Sequence, residues 1–194
     1  MAAFSFIEIV FVVGTAATVS AVAVPETLAT LDSSRAASAA RYVSTRLQRA
    51  RMEAVTRSAS VGLRIIQSGD HYDFTAYVDG NRNGVLSKDI QSGIDRIIQP
   101  ADRLGDHFKG VEFGATPDLP AVDSSSAPPG SDPIHLGSGD IATFTPTATS
   151  SSGSLYIRGS RGAQYVVRIY GETGKTRVLR FNPGSGQWMP ASDL

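Results

Sequence analysis

The sequence predicts an α+β protein in which one long N-terminal helix, half suited to a membrane and half amphipathic, packs on antiparallel β-sheets. Three observations lead there. Residues 4–24 form an apolar run whose only charge is Glu8. From Pro25 to about Ser58 the apolar residues recur every three or four positions. Beyond Ser60 the period changes to two, as strands require.

The first run reads FSFIEIVFVVGTAATVSAVAV, 21 residues. As a helix it would be about 31 Å long, the thickness of a bilayer's hydrocarbon core. Pro25 closes the run, although the helical pattern resumes beyond it. Three readings compete. A secretory signal peptide needs a basic start and a small-residue cleavage site, whereas this chain starts MAA and offers only the loose AVAVPET. A generic membrane anchor is the second. The third uses Glu8, because a charge at mid-bilayer costs about 2.5–3.5 kcal/mol and needs a reason. Ser5 and Glu8 have the spacing of a capping box. An intermolecular partner would serve as well, and both can hold together.

In the second segment Ala36, Ala40, Val43, Leu47, Ala50 and Ala54 make one narrow apolar stripe. Arg35, Arg41, Arg46, Arg49, Arg51 and Arg57 lie mostly off it and read as a solvated face. Then Val61, Leu63 and Ile65 alternate, as do Tyr72, Phe74, Ala76 and Val78. They predict two antiparallel strands joined near Ser68-Gly69-Asp70. Ile94, Ile97 and Ile98 suggest a third strand, and Val111 with Phe113 another short one. Residues 115–140 are a proline-, serine- and glycine-rich loop, long enough to be an exposed or functional excursion. SLYIRGS, QYVVRIYG and TRVLRFN complete a β-meander. Val61, Leu63, Ile65, Phe74, Leu155, Ile157, Val167, Ile169, Val178 and Phe181 are expected to form one core against the helix.

The N-terminal residues resemble the class III signal of type IV pilins and pseudopilins. In that family a prepilin peptidase cuts before a phenylalanine whose amine is then usually methylated. A glutamate follows four residues later, and a proline lies near the end of the apolar stretch. Phe4, Glu8 and Pro25 match in identity and spacing. Ala3 stands where the family prefers glycine, and the leader MAA is short and lacks a base. LQRARMEAVTRSASVGLRI, with Arg51, Glu53 and Ala54, is similar to the H-type minor pseudopilins and T/U-type minor pilins, the GspH/FimT family. FTPTATSSSGSLYI and TGKTRV resemble its C-terminal half.

The resemblance implies a pilin-like fold. Residues 1–3 would be a leader, 4–25 a transmembrane and filament-core helix, and 26–60 an amphipathic helix. Residues 61–194 would be a periplasmic β domain. It implies processing and methylation at Ala3 and Phe4, and assembly roles for Glu8 and Pro25. The partners would be other pilin or pseudopilin subunits, the prepilin peptidase and the assembly machinery of a bacterial inner membrane. The expected function is a minor, structural subunit of a type IV pilus or type II secretion pseudopilus.

Other chemistries are weakly signalled. Asp79, Asn81 and Asn83 open like a calcium loop, but its twelfth position is Ile90, with Asp89 one place early. An Asn-Gly turn between strands explains the same residues. His71, His107 and His135 lack metal-ligand spacing, no cysteine is present, and Asp102 with Asp106 reads as solvated loop. No catalytic constellation stands out, so the chain is expected not to be an enzyme. The 18 basic residues balance 18 acidic ones, which argues against a nucleic-acid partner on global charge. The C-terminal region is locally basic, however. Lys175 and Arg177 lie at a turn that contacts DNA in some minor pilins of the resembling family, and a DNA-contacting or adhesive subunit is the alternative. Arg168 should share a face with Val166 and Tyr170.

Overall fold

The computed structural model describes residues 5–137 and 139–191. Ala3 and Phe4, the expected processing residues, lie outside them. Helix α1 runs unbroken over Phe6–Arg57, 52 residues, through Pro25. At about 1.5 Å per residue it is roughly 78 Å long. Ser5 occupies the N-cap position but makes no side-chain cap bond, so the expected capping box with Glu8 does not form. The backbone alone closes the first turn, Glu8 N–H donating to the Ser5 carbonyl.

The strands follow as β1 Val61–Ser68, β2 His71–Val78, β3 Arg96–Arg103, β4 Val111–Phe113, β5 Ile134–His135, β6 Ile141–Phe144, β7 Gly153–Gly159, β8 Gln164–Tyr170, β9 Lys175–Asn182 and β10 Gln187–Pro190. Two short helices, α2 Ser87–Gln91 and α3 Leu104–His107, interrupt them. One sheet has the order β3-β2-β1-β6 and the other β10-β9-β8-β7-β4, with β5 also paired to β7. Every pairing is antiparallel. The α+β architecture expected from the sequence is therefore present, a long helix on two antiparallel sheets.

The C-terminal half of α1 lies against both sheets. Ala36, Ala40, Val43, Leu47, Ala50 and Ala54 are all at most 1% exposed, which is the stripe read from the sequence. Four of these six are alanines, and a methyl group lets a strand approach closely enough to exclude water. They meet Val61, Leu63, Ile65 and Phe74 from the first sheet and Leu155, Ile157, Val167 and Ile169 from the second. Phe181 departs from the expected core. Its ring lies 5.3 Å from that of Trp188, outside the helix-facing cluster. Strand alternation explains this, because Val178 and Phe181 are three residues apart and cannot share a face. Ile94 also departs, lying in the bend before β3.

Both sheets are covered on the face away from α1 as well. Over the first, Val85 packs with Tyr77 and Ile141. Gly62 of β1 admits this contact, since a Cβ there would come within 2.9 Å of Val85. Over the second, the segment 115–140 is a strap rather than an open excursion. Tyr156, Val166 and Leu179 form a second core with Ala115, Val122 and Trp188. The Trp188 indole N–H donates to the Pro120 carbonyl at 3.0 Å. Gln164 spans from sheet to strap, donating to the Gly114 carbonyl and accepting from the Thr116 amide. The strap eluded periodicity because it holds itself by such single anchors and contributes only the two-residue β5 to a sheet.

Candidate functional site

Among the described residues, most of the exposed large apolar side chains lie on the first half of α1. Phe6, Ile7, Phe11, Val13 and Val19 are 61–82% exposed, and exposed apolar residues continue to Leu31. Burying one such side chain is worth about 1.5–3 kcal/mol, so leaving a stretch of this kind in water is costly. It is the one helix among the described residues long and apolar enough to cross a membrane. Thr15, Thr18, Thr27 and Thr30 turn their hydroxyls back onto the helix's own carbonyls, which removes their need for water. Glu8 is exposed in the first turns and Pro25 sits near the end of the run.

The helix enters the folded domain at a specific joint. Asp32 is 4% exposed on α1. Its carboxylate accepts from the Arg161 amide at 3.0 Å, the Ala163 amide at 3.3 Å and the Ser160 hydroxyl at 3.1 Å. A turn of backbone donors thus satisfies a buried charge. Gly159 makes room, since a Cβ there would overlap the Asp32 carboxylate. Ser33 adds a hydroxyl bond to Tyr165 at 3.0 Å. Asp32 is a positioning residue outside every motif read from the sequence. Its signal was its place four residues before Ala36, on the apolar stripe itself.

A second joint lies higher on the helix. The Tyr42 hydroxyl donates to Asp102 Oδ2, and His107 bonds Asp102 Oδ1 at 2.8 Å. Arg46 lies 3.7 Å from the same carboxylate and over the rings of Tyr42 and Phe74. Burial alone would raise the Asp102 pKa. The hydrogen bonds from Tyr42, His107 and the Arg103 amide outweigh it and hold the carboxyl below its ordinary range. Asp102 is therefore a clamp between helix and sheet rather than solvated loop, and Asp106 takes no part in it.

The loop after β2 gathers Asp79, Asn81, Asn83, Asp89 and Asp95. Asp79 accepts from the amides of Asn81, Arg82 and Gly84, the last at 2.7 Å. Asn81 and Asn83 both donate to Asp89. Asp95 accepts from the amides of Gly80 and Leu86. Both oxygens of Asp79 and of Asp95, and Oδ2 of Asp89, are thus engaged with N–H donors that tie the loop shut. Among the described residues no group of three or more His, Asp or Glu is arranged to hold a metal ion.

The basic turn divides into two parts. Thr176 faces the helix, bonded to Ser44 at 2.7 Å and Gln48 at 2.9 Å. Lys175 and Arg177, its neighbours on β9, project from the other face and are exposed. With Ser125, Ser152 and Tyr170 they line an open groove of about 540 Å³. Arg168 lies opposite Arg177 in register but is only 7% exposed. Its guanidinium donates to Asp123 at 2.9 Å and to Ser125 at 3.0 Å on the strap. The hydrogen bond from Ser125 is the largest influence on Asp123; it and Arg168 outweigh burial and hold that carboxyl below its ordinary pKa. Arg168 shares the face of Val166 and Tyr170 as expected, and that face is the one the strap covers. It fastens the strap and lines the groove from beneath, its charge already paired with Asp123.

No protein-family model matches this chain, and no curated protein or solved structure matches it either.

Proposed function

We propose that this protein is a minor pilin or pseudopilin of the GspH/FimT type, a structural subunit held in a bacterial inner membrane until it is drawn into a filament. One observation carries the reading. A single unbroken helix leaves the domain near Leu31 and exposes its apolar surface down to Phe6. Such a helix suits a bilayer first and a bundle of like helices later, without refolding. Glu8 supports it further. In a packed bundle an opposite charge near Glu8 would be worth far more than in water. The resembling family supplies that charge as the amine of a neighbouring subunit, here Phe4 after cleavage.

Two measurements test this. Mass spectrometry of the protein from its native membrane should show loss of MAA and a methylated Phe4. A mature chain beginning at Met1, in cells with an active prepilin peptidase, counts against it. Glu8→Ala should leave the melting of the β domain unchanged while reducing recovery in sheared filaments severalfold. Normal incorporation of this variant would sink the assembly role.

The exposure of Lys175 and Arg177 favours a second reading, contact with DNA. Gel-shift titrations at low salt should then show binding that weakens steeply with salt. The change Lys175→Gln with Arg177→Gln should flatten the salt slope by roughly two phosphate contacts. No binding at low salt removes this reading.

A further inference from the structure

We infer that the base of the β domain, where α1 emerges, carries a docking surface for anionic phospholipid headgroups, built around Arg161 and Arg180. The inference rests on the membrane reading of residues 6–24.

The geometry sets the height of this surface. Asp32 binds the Arg161 and Ala163 amides and the Ser160 hydroxyl, which brings the β7–β8 turn level with that helix residue. Ser33 binds Tyr165, whose partner across the sheet is Arg180. Arg180 thus comes down beside the same turn of α1. Two grooves flank the helix here, of about 530 and 390 Å³, and Arg180 lines both. Arg161 lines the smaller one, with Ala29, Asp32 and Ser33. Both arginines are exposed.

If Val24 marks the edge of the hydrocarbon core, residues 29–33 stand about 7–14 Å beyond it. The headgroup layer on each side is roughly 5–8 Å deep. Long arginine side chains bridge the remaining distance, with stems along apolar surface and guanidinium groups at the interface. The charges agree in sign. Arg41, Arg161 and Arg180 line the two grooves beside the emerging helix, against Glu26 and Asp32. The Asp32 oxygens are occupied by the turn, and Arg41 reaches the Ala191 carbonyl at 3.5 Å. Guanidinium groups bind phosphate in a fork geometry, and basic residues near an anionic surface each add about 1 kcal/mol of attraction, close to fivefold. Such contacts would fix the tilt and height of the domain above the membrane before extraction.

The test uses the full chain reconstituted into vesicles of phosphatidylcholine alone or mixed with phosphatidylglycerol. Flotation after an alkaline wash reports insertion. The ratio of the two lipids retained by protein purified from the mixed vesicles reports headgroup preference. Wild type should float with both vesicle types and retain phosphatidylglycerol selectively. The variant Arg161→Gln with Arg180→Gln should float equally but lose that preference on the order of tenfold. Folding should survive, since Asp32 is held by the Arg161 backbone amide rather than its side chain. Arg49→Gln with Arg57→Gln, higher on α1, should change nothing. Equal retention of both lipids by wild type, or unchanged preference in the Arg161 and Arg180 variant, overturns the inference and leaves the membrane reading standing. Failure to float with either vesicle overturns both.

Discussion

The two halves of α1 are one continuous helix made for different surroundings. From Phe6 to Leu31 it carries phenylalanine, isoleucine, valine and leucine on all sides, and they are exposed. From Asp32 to Arg57 the buried apolar residues gather on one stripe dominated by alanine, and only Met52 and Val55 stand exposed outside it. The difference teaches that residue size follows the facing surface. Against fluid lipid or other helices, large side chains cover the backbone and find contacts in any direction. Against a sheet whose position is fixed, small side chains set the distance, and a few larger ones such as Leu47 fill what remains. Continuity through Pro25 makes the upper half a handle by which the lower half can be moved.

The sharpest way to break this comparison is truncation in each half. Leu47→Ala, at a fully buried site, should destabilise the domain by about 2–5 kcal/mol in urea unfolding. Val12→Ala removes a similar amount of side chain from an exposed site and should leave the urea midpoint unchanged. Equal losses at both positions would mean that the lower half folds back onto the domain.

Asp32→Ala should follow in size. It leaves the Arg161 and Ala163 amides without their acceptor, at about 1–3 kcal/mol for such unmet groups. Hydrogen exchange at residues 160–163 should quicken in this variant, whereas exchange around Tyr42 should not.

Asp123→Ala should cost less globally, because the ion pair with Arg168 is partly exposed on its carboxylate side. The expected change is a local loss of protection in residues 115–135 with little shift of the domain's midpoint. A large global loss would show that the strap belongs to the main core instead of lying over it.

The smallest effect concerns acid. Asp102 and Asp123 both titrate below their ordinary values in the folded protein. As pH falls through about 4 the unfolded chain takes up these protons first. The stability from both groups is therefore present above that pH and lost as pH drops through the folded values. Tyr42→Phe removes one donor that holds Asp102 low, so its acid loss should be shallower than wild type in urea midpoints at neutral and acid pH. An unchanged profile would remove Asp102 from the clamp.

Legibility tracked repetition. The helix stripe and strands β1, β2, β7, β8 and β9 repeat a period over several residues, and a periodic signal survives without knowledge of the neighbours. Strands β5, β6 and β10 span two to four residues each and lack the large apolar alternation that marks Val111 and Phe113 in β4. The candidate site divides in the same way. Glu8 stands out as a charge in an apolar run, while Asp32 has only its place on the stripe, and its turn of amides comes from a distant part of the chain. The face of Arg168 follows from strand alternation, whereas its partner Asp123 lies on the strap, 45 residues away in sequence.

By itself, then, the sequence determined the helix, its two kinds of surface and the alternating strands, because each follows from local geometry and the cost of leaving apolar groups in water. Which carboxylate is buried, which arginine is free and what lies under the 115–140 segment were decided by tertiary structure. Those properties depend on donors and acceptors brought from distant parts of the chain, as Asp32 meets Arg161 and Asp123 meets Arg168, and no local pattern encodes such meetings.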